Sequence, residues 1–161
     1  MLDLSLSQDG LELIKKHEGV KMVVYADPVG LPTGGVGHLL SEEEKKLMPI
    51  GTPLTMETVD NWLKGDVKEA EEAVRSRVKI PLTQPQFDAL VSFTFNVGAG
   101  ALGSSQLLRL VNQGLMASAS REFGRWVYAK GRILPGLRVR RREEATLFGV
   151  DVSPKEGDVN A

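Results

Sequence analysis

Three residues whose side chains can do acid–base chemistry stand close together near the N-terminus. They are Glu18, Asp27 and Thr33, separated by nine and six positions. A protonated carboxyl group can donate a proton, a carboxylate can stabilise positive charge, and a hydroxyl can hold a water molecule. One use of two carboxyl groups is to flank a glycosidic bond, with one protonating the leaving oxygen. The spacing alone is weak evidence for that chemistry, because a chain of 161 residues contains many such pairs.

The first of these residues is predicted to end a helix. Ser7 can cap the helix N-terminus, and Leu11 and Ile14 form an apolar face that reaches Glu18 after a further step of four residues. Gly19 is typical of a helix C-terminus. The negative end of the helix dipole and partial burial would both raise the pKa of Glu18, which suits a general acid. A solvated surface glutamate is the alternative interpretation.

Asp27 and Thr33 are predicted to lie in and after a turn between two strands. The segment "VVYA" favours a strand, "ADPVG" is a turn in which Asp27 can bond the following backbone, and "PTGGVGHLL" resembles a return strand. The segment therefore predicts a small, irregular antiparallel sheet. The doubled glycine after Thr33, with Pro32 before it, makes the local strand geometry unusual.

The rest of the chain is predicted to be mainly helical, which gives a predominantly helical α+β fold in a single catalytic domain over residues 1–161. We expect a small sheet lobe over about 12–54, a long connecting helix over about 55–80 and a helical lobe over about 81–150, with a polar tail over 151–161. Within the helical lobe, "QFDALVSFTFNVG" is apolar around most of its circumference and should be buried. A cleft between the two lobes is the expected ligand site.

Composition excludes several classes of site. The chain has no cysteine, so it can form neither a disulfide nor a thiolate metal site, and its two histidines are too few for a typical histidine-based metal cluster. We therefore predict no metal and no cofactor. The N-terminus is polar and no segment is long and apolar enough to span a bilayer, so we expect no stable membrane insertion.

Positive charge gathers late in the chain although the net charge is −1. The basic residues in question are Arg121, Arg125, Lys130, Arg132, Arg138, Arg140, Arg141 and Arg142. One interpretation is a solvated helix face with pairs such as Arg140 with Glu144. The other is a basic flank that favours an anionic polymer. No aromatic–basic pattern or known motif indicates nucleic acid.

The motifs around Glu18 resemble those of the phage lysozyme family, glycoside hydrolase family 24. The matching motifs are Glu18-Gly19, Tyr25-Ala26-Asp27, and the run from Thr33 to His38. A second block over residues 86–102 resembles the central buried helix of that family, and the resemblance extends over about 8–149. It implies a lysozyme-like fold.

The resemblance implies an endolysin, a muramidase that hydrolyses the β-1,4 bond between N-acetylmuramic acid and N-acetylglucosamine in peptidoglycan and so lyses the host of a phage. Glu18 would be the general acid, and Asp27 would stabilise positive charge on the sugar and help to orient a water. Thr33 would help to position that water, which favours inversion of configuration.

Several other residues match the family near its saccharide groove or have a structural role. Leu39, Phe95 and Ser105 match groove positions, although Phe95 suits core packing as well. His38 is expected to join helix and sheet through hydrogen bonds. The two tryptophans are expected to pack in the core rather than to stack on sugars.

Two other functions fit the same residues. A lytic transglycosylase also needs an acid but leaves an anhydro sugar, and a non-catalytic module would only bind the wall. As a hydrolase, the protein is expected to be a monomer in the host cytoplasm until a holin opens the membrane, and then to act on the wall in the periplasm. Attraction of the basic helices to the anionic wall predicts that activity falls at high salt.

Overall fold

The computed structural model describes residues 3–149, and the predicted polar tail over 151–161 lies outside the described residues. The chain divides into two compact units, which we describe separately. Residues 11–68 form the first unit, and residues 3–10 with 69–149 form the second. The first unit contains the main sheet, and the second consists mostly of helices. The predicted fold class, a predominantly helical protein with a small antiparallel sheet, is confirmed.

The first unit is a three-stranded antiparallel sheet with helices against it. Its elements are residues 11–18 of α1 (Gln8–Glu18), β1 (Lys21–Ala26), β2 (Pro32–Gly35), β3 (His38–Leu39), α2 (Glu42–Leu47) and α3 (Met56–Asp66). The strand order is β1-β2-β3, and the register between β1 and β2 shifts between Lys21 and Tyr25. This shift is the irregularity that the sequence predicted, and it lies in the strand that leads to Asp27.

Glycines allow α3 and its preceding loop to lie directly on β2. A Cβ atom at Gly34 would come within 2.8 Å of Leu54 Cδ1 and 3.3 Å of the Trp62 ring. Gly35 has a φ of +62°, in the left-handed region that glycine adopts without steric cost. The doubled glycine after Thr33 is therefore explained by close packing on Leu54 and Trp62, and it fixes the position of β2.

The prediction of one continuous helix over 55–80 is wrong. The structure has two helices there, α3 (Met56–Asp66) and α4 (Lys68–Arg77), with a turn at Val67 between them. The Val67 amide still donates to the Leu63 carbonyl at 2.9 Å, so the hydrogen bonding of α3 continues to Val67. Gly65 lies just before the break. Because glycine has the least restricted backbone of all residue types, it weakens the helix there.

The second unit is built around one buried helix. Its elements are α4, α5 (Gln84–Val97), α6 (Ala99–Ser104), α7 (Gln106–Asn112), α8 (Met116–Glu122), a 3-10 turn (Phe123–Arg125), β4 (Tyr128–Ala129), β5 (Arg132–Ile133) and α9 (Pro135–Phe148). Helix α5 is capped by the Thr83 hydroxyl and ends at Gly98, whose φ is +99°. All eight residues over 87–94 are buried, which confirms that this helix is central to its unit.

The predicted helical lobe is interrupted by a short hairpin between α8 and α9. Helix α8 stops at Glu122, and the 3-10 turn leads into the short hairpin β4–β5. The two residues at the hairpin tip, Lys130 and Gly131, both have positive φ, of 52° and 78°. Such a turn matches the twist of paired strands, but lysine rarely adopts a positive φ, so residue type alone does not predict the hairpin.

The ion pair of Arg140 with Glu144 forms, but it is not on a solvated face. Arg140 Nε lies 3.1 Å from Glu144 Oε2, and Arg141 Nε lies 2.7 Å from Glu144 Oε1. The Ser92 hydroxyl of α5 also donates to Glu144 Oε2, at 2.6 Å. The Glu144 side chain is fully buried and the two arginines nearly so. This cluster joins α9 to the central helix, which is a packing role that helical periodicity does not reveal.

Candidate active site

Glu18 is the last residue of α1, as predicted. The Ser7 hydroxyl caps the helix by accepting from the Gly10 amide at 3.2 Å, and Gly19 follows Glu18 with a φ of +84°. Leu11 and Ile14 are buried on the inner face of the helix. The Glu18 side chain is exposed, so the partial burial predicted for it is wrong. The buried face of the helix ends one turn earlier, at Ile14 and Lys15.

Lys15 fixes the end of α1 that carries Glu18. Its Nζ lies 2.8 Å from Asp60 Oδ1 on α3 and 2.9 Å from Glu12 Oε2. The Asp60 hydrogen bond is the main cause of a raised pKa at Lys15, which therefore stays charged. Lys15 is itself 8% exposed, so this link is shielded from solvent. Sequence patterns did not identify it, because the pair is 45 residues apart.

Asp27 organises the turn after β1. Its Oδ1 atom accepts from the Val29 amide at 2.9 Å and from the Leu31 amide at 2.8 Å. The turn closes when the Gly30 amide donates to the Asp27 carbonyl at 2.8 Å. Within residues 3–149, the second carboxylate oxygen, Oδ2, accepts no hydrogen bond. Asp27 is half-buried and therefore combines one oxygen held by the fold with one available to a ligand.

Thr33 is held on β2 opposite the end of β1. It pairs with Tyr25 on β1 and with Leu39 on β3, and it is 4% exposed. Its hydroxyl donates to the Leu31 carbonyl at 2.9 Å. A hydroxyl has one hydrogen and two lone pairs, so the Thr33 oxygen can still accept a hydrogen bond but has no second one to give.

Asp27 and Thr33 are brought together by a single backbone carbonyl. The Leu31 carbonyl accepts from the Asp27 amide at 2.9 Å and from the Thr33 hydroxyl, while the Leu31 amide donates to Asp27 Oδ1. Leu31 therefore sets the relative position of both side chains. We had not identified Leu31 from the sequence, because its contribution comes from the backbone and leaves no signal in residue type.

The three predicted groove residues differ in their surroundings. Leu39 lies on β3 in the same unit as Glu18 and Asp27, and its side chain is 56% exposed. Phe95 belongs to the second unit, where it is partly buried against the core. Ser105 caps α7: its hydroxyl accepts from the Leu108 amide at 3.0 Å and donates to the Leu102 carbonyl at 2.8 Å. Ser105 thus has a structural role that accounts for its residue type.

His38 joins two helices to the sheet, as the sequence predicted. Its Nδ1 lies 2.8 Å from Asp66 Oδ2 on α3, and its Nε2 lies 2.9 Å from Glu44 Oε1 on α2. The imidazole also stacks on Trp62, with ring centroids 4.3 Å apart. The other tryptophan, Trp126, packs edge-on against a core phenylalanine. Both tryptophans therefore take part in packing.

Glu44 gives this cluster a pH dependence. Burial raises the pKa of the Glu44 carboxyl, but hydrogen bonds from the Ser41 backbone and from His38 outweigh burial and hold the pKa below its ordinary value of 4.5. A lowered pKa stabilises the folded state above the ordinary value, and this stabilisation is lost as the pH falls through the folded-state pKa. The His38–Glu44 contact should therefore weaken in acid.

We expect the Glu44→Gln variant to be less stable than the wild type at neutral pH, with the difference shrinking as the pH falls below 4.5. Glutamine can still complete the capping box with Ser41, so the change tests the charge and not the helix cap. Thermal unfolding of both proteins between neutral pH and about pH 3 measures the difference. A difference that stays constant across this range would contradict the role given to the carboxylate.

The described residues suggest neither a metal centre nor a membrane span. Within residues 3–149, no group of three or more histidine, aspartate or glutamate side chains could hold a metal ion. In the same part of the chain, every helix is too short or too polar to cross a bilayer.

Comparison with known proteins shows the family. The model described as "Phage lysozyme" matches residues 15–144. The endolysin of Bacillus phage PZA is 37% identical over 150 residues, which are 90% of this chain and 55% of that protein. The endolysin of Salmonella phage P22 is 36% identical over 145 residues, which are 90% of this chain and 98% of that protein. The SAR-endolysin of Escherichia phage Mu is 32% identical over 133 residues, with coverages of 83% and 74%.

Solved structures agree with these sequence matches. The muramidase domain of SpmX from Asticaccaulis excentricus has a TM-score of 0.77 at 37% identity, covering 91% of this chain and 99% of that one. A mutant of P22 lysozyme has a TM-score of 0.81 at 34% identity, with coverages of 90% and 98%. The chain belongs to the phage lysozyme family. It spans about half the length of the PZA protein and nearly all of the P22 protein. The predicted family, fold class and enzyme class, a lysozyme-type hydrolase of the endolysin group, are confirmed.

Proposed function

We propose that this protein hydrolyses the β-1,4 bond between N-acetylmuramic acid and N-acetylglucosamine in peptidoglycan, with Glu18 as the general acid. The observation that carries the proposal is the pair of Asp27 and Thr33 on the Leu31 carbonyl, in the same unit as Glu18. The names endolysin and muramidase among the similar proteins support the same substrate class.

Each side chain has a distinct part in this reaction. The Glu18 carboxyl donates its proton to the bridging oxygen as the bond from that oxygen to the sugar C1 breaks. Asp27 Oδ2, which accepts no hydrogen bond within residues 3–149, stabilises the positive charge that develops on the sugar. Because the Thr33 hydroxyl already donates to Leu31, it positions the water by accepting one of its hydrogens. The oxygen of the water bonds to C1 and keeps one hydrogen. The proton that the water loses returns Glu18 to its protonated form.

The Asp27→Asn variant should lose about 10²-fold in rate while keeping its fold, since one preorganised electrostatic group is worth roughly that much. Asparagine keeps an Oδ1 acceptor for the Val29 and Leu31 amides, so the turn can form as before. Release of dye from labelled peptidoglycan measures the rate, and thermal unfolding measures the stability. Full activity in the variant would remove Asp27 from the mechanism.

Leu39, Phe95 and Ser105 are proposed to contact the glycan strand. Leu39 offers an exposed apolar surface in the unit of the catalytic residues. Phe95 and Ser105 already serve packing and capping, so their contacts with substrate would be additional roles. A raised KM with unchanged kcat for Leu39→Ala would support substrate contact, because it removes binding without changing the chemistry.

We also propose that the protein acts as a monomer on the wall in the periplasm and needs a holin to leave the host cytoplasm. The similar proteins named endolysin are 36–38% identical to this chain, and those named SAR-endolysin are 32–35% identical. Expression with and without a holin tests the export route. Lysis of cells that lack the holin would contradict it.

A further inference from the structure

A cavity of about 800 Å³ in the second unit is unusually rich in arginine. It lies among α8, the 3-10 turn, the β4–β5 hairpin and α9. Five of its eleven lining residues are arginines, namely Arg121, Arg125, Arg138, Arg141 and Arg142. The segment over 121–142 contains eight basic residues and a single acid, whereas the whole chain has a net charge of −1. The charge of this cavity is therefore a local feature.

The arginines form two rows. Along α9, lining residues follow at steps of three and four, so Arg138 and Arg142 lie on the same helix face with Arg141 between them. Arg121 and Arg125, four residues apart, line the cavity from α8 and the 3-10 turn. Like charges at such spacings repel and destabilise the fold slightly. A bound anion would relieve that repulsion.

Not all of these guanidinium groups are engaged with acids. Arg125 pairs with Glu122 at 3.1 Å, and Arg121 donates to the Ser118 hydroxyl at 3.3 Å. The side chains of Arg138 and Arg142 are exposed and form neither a hydrogen bond nor an ion pair with any residue over 3–149. Two charged donors on one helix face are therefore available to a ligand.

The other residues that line the cavity leave room for a ligand. Tyr128 and Ile133 from the hairpin are exposed beside the arginines, at 61% and 46%. A Cβ atom at Gly124 would meet no atom within 4 Å, so the cavity is open there. Guanidinium groups bind phosphates and carboxylates through two parallel hydrogen bonds, which suits a ligand with several oxygens.

We propose that this pocket is a binding site for a ligand bearing two or more oxyanion groups, phosphates or carboxylates, held by Arg138 and Arg142 on α9 and by Arg121 on α8. The site consists only of residues outside the candidate active site. It does not rest on the proposed hydrolysis, because binding can be measured without any turnover.

Calorimetric titration with inorganic pyrophosphate and with citrate, in about 20 mM salt to limit screening, tests the site. We expect saturable binding at one site, weakened about tenfold or more in the Arg138→Gln/Arg142→Gln double variant. The control is Lys64→Gln/Arg109→Gln, which removes two exposed positive charges elsewhere and should change binding less than twofold. Tighter binding of pyrophosphate would assign phosphate groups to the ligand, and tighter binding of citrate would assign carboxylates.

A second pair of variants keeps every arginine. Gly124→Glu places a competing carboxylate in the open part of the pocket, and Gly100→Glu adds the same charge at an open glycine on α6. We expect Gly124→Glu to abolish pyrophosphate binding and Gly100→Glu to leave that binding unchanged. No saturable binding of either probe to the wild type, or an equal loss in the variants and their controls, would overturn the proposal.

Discussion

Replacing Glu18 with glutamine should slow peptidoglycan cleavage by about 10²- to 10⁴-fold, which is the range that general acid catalysis contributes. Glutamine has nearly the same size and can form hydrogen bonds, but it has no proton to donate to a leaving sugar oxygen. The exposed position of Glu18 at the end of α1 means that this change should leave the fold intact. The measurement is the initial rate of dye release from labelled peptidoglycan.

The matched control is Glu43→Gln, which makes the same chemical change at an exposed position on α2. We expect the control to retain at least half of the wild-type rate, since surface substitutions of this kind usually change stability by about 0.5 kcal/mol or less. Equal thermal unfolding of all three proteins would confirm that the rates compare folded enzymes. If Glu18→Gln and Glu43→Gln had the same rate, Glu18 could not be the acid.

Removal of the Glu144 carboxylate should give the largest loss of stability in the second unit. In Glu144→Ala, the buried side chains of Arg140 and Arg141 lose the carboxylate that lies within about 3 Å of both. Breaking a buried ion pair from one side typically costs about 3–5 kcal/mol, because charge is left in a poorly solvated place. The free energy of unfolding from urea titration should fall by that amount, and the melting temperature by about 10 °C.

A more exposed ion pair in the same unit, in which the Glu122 side chain is 15% exposed, supplies the comparison. Glu122→Ala removes the partner of Arg125, whose side chain is 77% exposed. Such pairs contribute about 0–1 kcal/mol, since water screens them. A stability loss in Glu144→Ala no greater than that in Glu122→Ala would show that the buried cluster contributes little.

The sequence predicted the local features of the candidate site well. Ser7 and Gly19 mark the two ends of α1. The segment "ADPVG" predicts the turn in which Asp27 accepts hydrogen bonds from the following backbone. These features depend on neighbours within a few residues, so residue type alone indicates them.

Features that depend on distant contacts were not predictable. The link of Lys15 to Asp60 spans 45 positions, and the Leu31 carbonyl acts through backbone atoms that every residue has. The exposure of Glu18 was mispredicted because the buried face of α1 was extended one turn past its last buried residues, Ile14 and Lys15. Burial of Glu144 was likewise hidden, since a charged pair four residues apart is typical of a solvated helix face.

The boundaries of helices also depend partly on distant contacts, which the local sequence does not reveal. The apolar spacing over 55–80 is continuous across the turn at Val67, so periodicity predicts one helix where the structure has two. The β4–β5 hairpin depends on positive φ at both tip residues, and Lys130 rarely adopts that conformation. Tertiary packing decided both cases against the local pattern.

The most direct test of the central assignment, proton donation by Glu18, is mass analysis of the new chain ends after purified peptidoglycan is digested by wild type and by Glu18→Gln. Hydrolysis adds one water per bond cut, so wild type should release glycan fragments that end in N-acetylmuramic acid with a free reducing end. The variant should release almost none of these fragments. Reducing ends formed by the variant at the wild-type rate would contradict the assignment, and anhydro ends from the wild type would contradict hydrolysis.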